Sequence, residues 1–344
     1  MNSKKCSYNV SFMGYIDLRS RIRCQRTNAD IMAGDQQISI SAYNPNCSLI
    51  SVHYPLIAVL FILLLTTSCI RDNLQNEGLL IAVSIPPQAW FVRQIALNKA
   101  KAHILVPPGQ NPHNYEPTPR QIQSLSSVDA WILSGSEFEI ALRPKIESLF
   151  PDLLIIDGTH GVNFRLLEDH DHDTEFHYNE TFPHSLDKHT WLGYEGAVIL
   201  ASHIKDTLCI LDNENTVFYN QQYEILYTLI NEEFNGLKTD LAPVYGKSVF
   251  VYHPSFGYFL DEFGIHQEAV ETGGKEPTPR QLNNLIEKMK AEKPAAIFVQ
   301  VQFPVNAART IANSVGAQVI ELDPLAENWL ENIRFIGQVL KDGF

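Results

Sequence analysis

Cysteine is scarce in this chain of 344 residues, with five in all. Cys6, Cys24, Cys47 and Cys69 all lie within the first 69 residues, which leaves Cys209 alone in the rest. That distribution excludes an internal disulfide from the remainder, and the chain has no CxxC spacing to serve as a zinc or redox motif. Cys209 sits in an apolar helical run and reads as a small core residue rather than a reactive thiol. Long hydrophobic runs are also missing: Leu56 to Leu65, LIAVLFILLL, is unbroken but far short of the roughly 20 residues that span a bilayer. Positive charge is in deficit, with 26 Lys and Arg against 39 Asp and Glu and a formal net charge of -13. A phosphate-backbone partner is therefore excluded, because nucleic-acid binding rests on clustered Lys and Arg, and a cationic ligand suits the chain better. No low-complexity tract appears, and 45% of residues are hydrophobic, so a chain of this length can bury the cores of about two lobes.

The apolar run is followed at once by Thr66-Thr67-Ser68-Cys69. A short apolar stretch closed by small residues is the layout of a secretory h-region with its cleavage site. A site that ends on cysteine resembles the lipobox of bacterial lipoproteins, in which the thiol is acylated and becomes the mature N-terminus; Cys69 is thus the expected lipidation site. Arg19, Arg21, Arg23 and Arg26 lie too far upstream of the run to serve as its basic n-region. Translation is expected to begin nearer Val52, and N-terminal sequencing of a precursor that starts at Met1 would contradict that. The expected organisation is a non-native or disordered leader at 1–50, a lipoprotein signal peptide at 51–69, a tether at 70–78, an N-terminal lobe at 79–212, a linking helix at 213–241 and a C-terminal lobe at 242–344.

One phrase occurs twice: EPTPRQIQSL at Glu116 to Leu125 and EPTPRQLNNL at Glu276 to Leu285. In each copy Thr falls at N-cap, Pro at the first helical position and Gln three residues after the cap, so Thr118 with Gln121 and Thr278 with Gln281 form candidate capping boxes. The helices so opened are expected to run to Val128 and Lys290, each leading into a short apolar run of strand length, Ala130 to Leu133 and Ala295 to Val299. Matching strands precede them, Leu79 to Val83 and Ser248 to Tyr252. Strand, helix, strand in both halves predicts an α/β fold of two lobes with mainly parallel sheets. Between the halves, Phe218, Tyr219, Tyr223, Leu226, Ile230, Phe234 and Leu237 recur at mostly three- and four-residue spacing, which predicts one long amphipathic helix joining the lobes.

Chemistry gathers at the predicted strand ends. His113 lies in a Pro- and Gly-rich loop after a predicted strand at His103 to Val106. His189 lies just ahead of a predicted helix from about Glu195, His253 follows a strand directly, and Asp323 ends another. A lone loop histidine is usually a solvated or hydrogen-bonded residue, and an Asp before Pro is usually a turn former. Position lifts these four, because ligands of open α/β sheets collect at strand ends and a cleft between two lobes gathers groups from both. Three imidazoles and one carboxylate suit Zn2+ in four-coordinate geometry.

PPGQNPHNYEPTP, DKHTWL, HPSFGYF and LDPLA, in this order, resemble the substrate-binding lipoproteins of zinc and manganese ABC importers, the ZnuA/TroA-like metal solute-binding family. The resemblance covers essentially everything from Leu79 to Phe344. It implies two (β/α) lobes joined by one long backbone helix, a metal held between them, and an ABC permease with its ATPase as partners. Carried over residue by residue, it implies His113, His189, His253 and Asp323 as metal ligands. In the family the third position tends to be His in zinc importers and Glu in manganese importers, so His253 points to zinc as the transported ligand, with Mn2+ as the other possible cargo. Lys188 and Gly193-Tyr194 stand where the family usually has prolines around the second motif.

Between the first two motifs, His170, His172, His177 and His184 are set among Asp and Glu in a loop at 168–184. Such clusters bind metals weakly and loosely, and the resemblance implies an auxiliary metal loop. The expected protein is a monomer and not an enzyme. It would be lipid-anchored on the periplasmic or extracellular face of a bacterial membrane, capturing Zn2+ with deprotonated imidazoles, so that affinity weakens as pH falls through the histidine range. A manganese-binding member of the same family and a surface adhesin lipoprotein are the alternatives. A zinc hydrolase would need a general base beside the metal, and Glu116 is disfavoured because Glu276 repeats it without a neighbouring histidine.

Overall fold

Each of the two sheets has an interior made for burial on both faces. The computed structural model describes residues 78–167, 186–271, 278–303 and 305–343, all within one unit, Gln75–Phe344. In the first sheet the strands are β1 (Leu79–Val83), β2 (Ala100–Ile104), β3 (Ala130–Leu133) and β4 (Leu154–Asp157). In the second they are β5 (Ser248–Val251), β6 (His266–Ala269), β7 (Ala296–Gln300) and β8 (Gln318–Leu322). The spatial orders are β2-β1-β3-β4 and β6-β5-β7-β8, so the two lobes share one topology. Every pairing is parallel. Central strands β3 (AWIL) and β7 (AIFVQ) are buried at every position, as parallel strands covered on both faces must be. Edge strands β2 (AKAHI) and β6 (HQEA) carry the polar residues that an edge tolerates.

The helices that position the site begin where their sequences cap them. Helix α1 (Pro86–Ala96) opens on two prolines, and Gln88 Oε1 accepts from the Ser84 and Ile85 N–H groups at 2.9 and 3.2 Å. The repeated phrase does the same work in both lobes: Gln121 N donates to Thr118 Oγ1 at 3.3 Å and Gln121 Oε1 accepts from Thr118 N at 2.9 Å. At Thr278 and Gln281 the corresponding distances are again 3.3 and 2.9 Å. The first copy starts α2 (Pro119–Ser124), which tightens into a 3-10 turn at Leu125–Ser127. Helix α3 (Glu137–Leu149) follows β3, and α4 (Tyr194–Leu211) follows the second histidine motif.

The predicted spine is present as α5 (Thr216–Asp240), 25 residues with Tyr219, Leu226, Ile230, Phe234 and Leu237 buried along one face. In the second half come α6 (Gly257–Asp261), α7 (Pro279–Glu292), α8 (Val305–Val315) and α9 (Trp329–Asp342). Trp329 of α9 ties the parts together: its ring lies 5.5 Å from Trp90 and 4.9 Å from Phe91 of α1, and 6.4 Å from Phe234 of α5. One buried apolar cluster therefore runs from the first sheet through α5 into the second. Among the described residues no helix is long and apolar enough to cross a membrane.

The approach of α4 to the His189 segment is close. A Cβ on Gly196 would meet the Thr190 carbonyl oxygen at 2.0 Å. Gly196→Ala must therefore push α4 off the turn that carries His189, at a cost of about 1–3 kcal/mol in line with other overpacked sites. Urea unfolding measures this, and a variant as stable as the parent would contradict the close contact.

Candidate metal centre

Local chemistry holds each of the three histidine segments in place. His113 lies on a 3-10 turn, Pro112–Asn114, where its N–H donates to Asn111 Oδ1 at 3.0 Å. His189 caps the turn Thr190–Leu192, and its N–H donates to Asp187 Oδ1 at 2.9 Å. His253 follows β5, where its N–H donates to Gln300 Oε1 at 3.1 Å while Gln300 Nε2 donates to the His253 carbonyl and to Ser255 Oγ. Two histidines thus come from the first lobe and one from the second. The ring centroids are 4.8, 5.2 and 5.3 Å apart, and one ring nitrogen from each lies within 4.8 Å of the other two.

Every ring has its own carboxylate on Nδ1. His113 Nδ1 is 2.8 Å from Glu137 Oε2, His189 Nδ1 is 2.8 Å from Asp187 Oδ1, and His253 Nδ1 is 2.7 Å from Glu271 Oε2. An ionised carboxylate only accepts, so this pattern puts the proton on Nδ1 and leaves the Nε2 lone pair for the centre. The Nε2 atoms of His113 and His253 are 3.0 Å apart. Two lone pairs at that distance repel unless a proton or a cation stands between them. Zn–N bonds of 2.0–2.1 Å in a tetrahedron put nitrogens about 3.3 Å apart, so a small widening seats the ion.

Burial sets the electrostatics. His189 and His253 are each 5% exposed and His113 is half-buried, which makes the His113 side the open approach to the centre. Desolvation pushes His253 down to about 4, with help from the neighbouring His189 and His113 rings and against the pull of Glu271. Burial works to raise the Asp187 carboxyl, but the hydrogen bonds and charge of His189, together with Arg165, hold it below its ordinary value. Glu137 is likewise lowered by His113 against its desolvation. The His253 imidazole is therefore neutral at any physiological pH. NMR titration of the metal-free protein should show the His253 ring protonating near pH 4; a midpoint near 6.5 would contradict its burial.

The walls are partly aromatic. Phe303 stacks on His253 at 4.6 Å and 20°, and Trp191 lies 5.5 Å from His189. Asn111, Pro112, Gln302, Pro324 and Leu325 complete a small cavity with the three rings. Asp323, expected from the sequence as a fourth ligand, is not in the three-histidine group. Its Oδ1 instead accepts from Gln302 Nε2 at 2.6 Å and from Leu325 N at 2.9 Å. Cys69, His170, His172, His177 and His184 lie outside the described residues.

Four residues that hold the imidazoles in place lie outside the ligand set expected from the sequence: Glu137, Asp187, Glu271 and Gln300. Asp187 offered a local signal, a carboxylate two residues before His189. The other three come from distant parts of the chain. All three carboxylates are engaged on the outer nitrogens of the rings, which leaves none of them as the free general base that a hydrolase needs beside a metal-bound water.

The profile of the ZnuA family, described as zinc-uptake complex component A, periplasmic, matches residues 81–343. The chain belongs to this family. Similar proteins include the zinc-binding lipoprotein AdcA of Streptococcus pneumoniae, 24% identical over 274 residues, or 76% of this chain and 53% of that protein. The chain thus spans about half the length of that relative. Also similar are the high-affinity zinc uptake system protein ZnuA of Yersinia pestis, 27% identical over 71% of this chain and 82% of its own length, and the manganese ABC transporter substrate-binding lipoprotein PsaA of S. pneumoniae, 24% identical over 76% and 85%. A crystal structure of ZnuA superposes with a TM-score of 0.71 at 28% identity, covering 78% of this chain and 99% of that one. The laminin binding protein of Streptococcus agalactiae, described as having adhesin and metal transporting activity, shares the fold with a TM-score of 0.66 at 20% identity. Metal-binding components of transport systems, not enzymes, make up this family, and its members bind zinc or manganese.

Proposed function

We propose that this protein captures Zn2+ outside the cytoplasmic membrane and delivers it to an ABC permease and its ATPase. The observation that carries the reading is the convergence of three imidazoles from two lobes, each with its Nδ1 committed to a carboxylate, which leaves its Nε2 for a common centre. Nε2 of His113, His189 and His253 would supply three ligands, with an oxygen donor from the side of Gln302 and Asp323 as the fourth. Three nitrogen ligands favour zinc over manganese, which prefers an oxygen-richer shell. Glu137, Asp187 and Glu271 balance the charge of the ion while staying off it.

Release would follow from a modest rearrangement. The lobes are joined by the Trp329 cluster, by Trp191 Nε1 donating to the Pro324 carbonyl at 2.8 Å, and by Arg165 bridging Asp187 and Asp261 at 2.9 Å each. Those contacts oppose a wide hinge swing; a large change in scattering radius on zinc addition would contradict this. We place the lobes at 79–212 and 242–344 about the helix, with residues 168–184 as an auxiliary metal loop and Cys69 as the lipid anchor of a monomer on the outer face of a bacterial membrane.

Chelator-competition titration of the mature chain with zinc and with manganese tests the reading. One tight zinc site with manganese much weaker supports it. Equal or tighter manganese binding favours the manganese alternative, and an absence of tight metal binding favours the adhesin.

A further inference from the structure

We propose that Gln302 closes the fourth side of the metal site with its amide oxygen, and that Asp323 is a positioning residue that holds Gln302 rather than a ligand. The inference rests on the zinc-capture reading and deepens it. An amide has a donor end and an acceptor end, and here the donor end is fixed: Gln302 Nε2 donates to Asp323 Oδ1 at 2.6 Å. The acceptor end, Oε1, is buried and has no hydrogen-bond partner. A carbonyl oxygen removed from water without a donor is costly, and native proteins leave few of them. Gln302 lines the same small cavity as His113, His189 and His253, so its oxygen stands where a cation, or a water bound to one, would satisfy it.

Asp323 is held elsewhere. It is not among the residues lining that cavity; its Oδ1 also accepts from Leu325 N at 2.9 Å, and its carbonyl accepts from Asn332 Nδ2 at 2.8 Å. The carboxylate therefore stands behind Gln302 and orients it, as Glu137, Asp187 and Glu271 stand behind the three rings. A neutral amide oxygen completes the shell while the Asp323 charge stays behind it, as the other three carboxylates stay behind the rings. The pattern is the same on all four sides: a neutral donor inward, a carboxylate on its far end.

Zinc affinity of Gln302→Met and Asp323→Asn, measured by chelator competition beside the parent and His253→Ala, separates the possibilities. Methionine keeps the size of the side chain and removes the oxygen, whereas asparagine at 323 still accepts from Gln302 Nε2. Gln302→Met should weaken zinc binding by at least the roughly 10–100-fold that loss of a supporting group costs, with Asp323→Asn costing less. A larger loss in Asp323→Asn than in Gln302→Met would overturn the inference and restore Asp323 as the ligand. If His253→Ala loses zinc while Gln302→Met equals the parent, the zinc-capture reading stands and this inference alone falls. If the parent binds no zinc, both fall. A measurement without substitution covers a variant that fails to fold: the Gln302 side-chain NH2 resonances should shift when zinc is added, and unmoved resonances would likewise overturn the proposal.

Discussion

His253→Ala should abolish tight zinc binding. Apparent zinc affinities of about 10–16 kcal/mol, shared over four ligands, give roughly 2.5–4 kcal/mol per ligand, or a loss on the order of 10²–10³-fold. His253 is the imidazole contributed by the second lobe, so its removal leaves two imidazoles, both on the first lobe. The loss should appear in chelator competition without a comparable loss of folded protein, because Gln300 holds the His253 backbone N–H and carbonyl and Ser255 Oγ independently of the ring. Glu271→Gln is the companion variant. It keeps His253 but weakens the acceptor on Nδ1, and should cost roughly 10–100-fold. Zinc affinity unchanged by His253→Ala would remove His253 from the site.

Asp187→Ala should damage both stability and binding. Its side chain is fully buried; Oδ1 accepts from the His189 N–H and faces Nδ1, while Oδ2 pairs with Arg165 Nη1 at 2.9 Å. Arg165 keeps Asp261, but the buried His189 N–H and ring lose their acceptor, at a cost of about 1–3 kcal/mol. The same change frees the His189 ring from its tautomer, so zinc affinity should fall as well. Urea unfolding at neutral pH measures the first effect. The pH dependence gives a second check: a carboxyl held below its ordinary value stabilises the fold above the unfolded carboxylate range, and this contribution is lost as pH falls through the lowered value. Part of the acid sensitivity of the parent should therefore be absent from the variant. A loss under about 1 kcal/mol would contradict the buried pairing.

Much of the fold could be read locally. Thr118 with Gln121 and Thr278 with Gln281 cap helices whatever surrounds them, and the stripe from Tyr219 to Leu237 needs only helical periodicity. Local reading misplaced β2, expected at His103 to Val106 and found at Ala100–Ile104. Leu105 and Val106 still donate to the Val83 and Ser84 carbonyls, at 2.9 and 3.0 Å, as the chain leaves the sheet, so their apolar character reported burial rather than strand. The three histidines were legible through strand-end position and motif order. Their supports were not: Glu137 lies 24 residues from His113, and Glu271 lies 18 from His253. Nothing in the sequence says which carboxylate reaches which ring until the sheets bring them together. Asp323 was legible as a strand-end carboxylate, but its engagement with Gln302 is tertiary.

The central claim is that three imidazoles from two lobes hold one zinc ion. X-ray absorption at the zinc edge of the stoichiometrically loaded protein addresses it most directly. The account predicts three imidazole nitrogens at about 2.0–2.1 Å with one oxygen and no sulfur. A shell with one imidazole or none, or one containing sulfur, would contradict it.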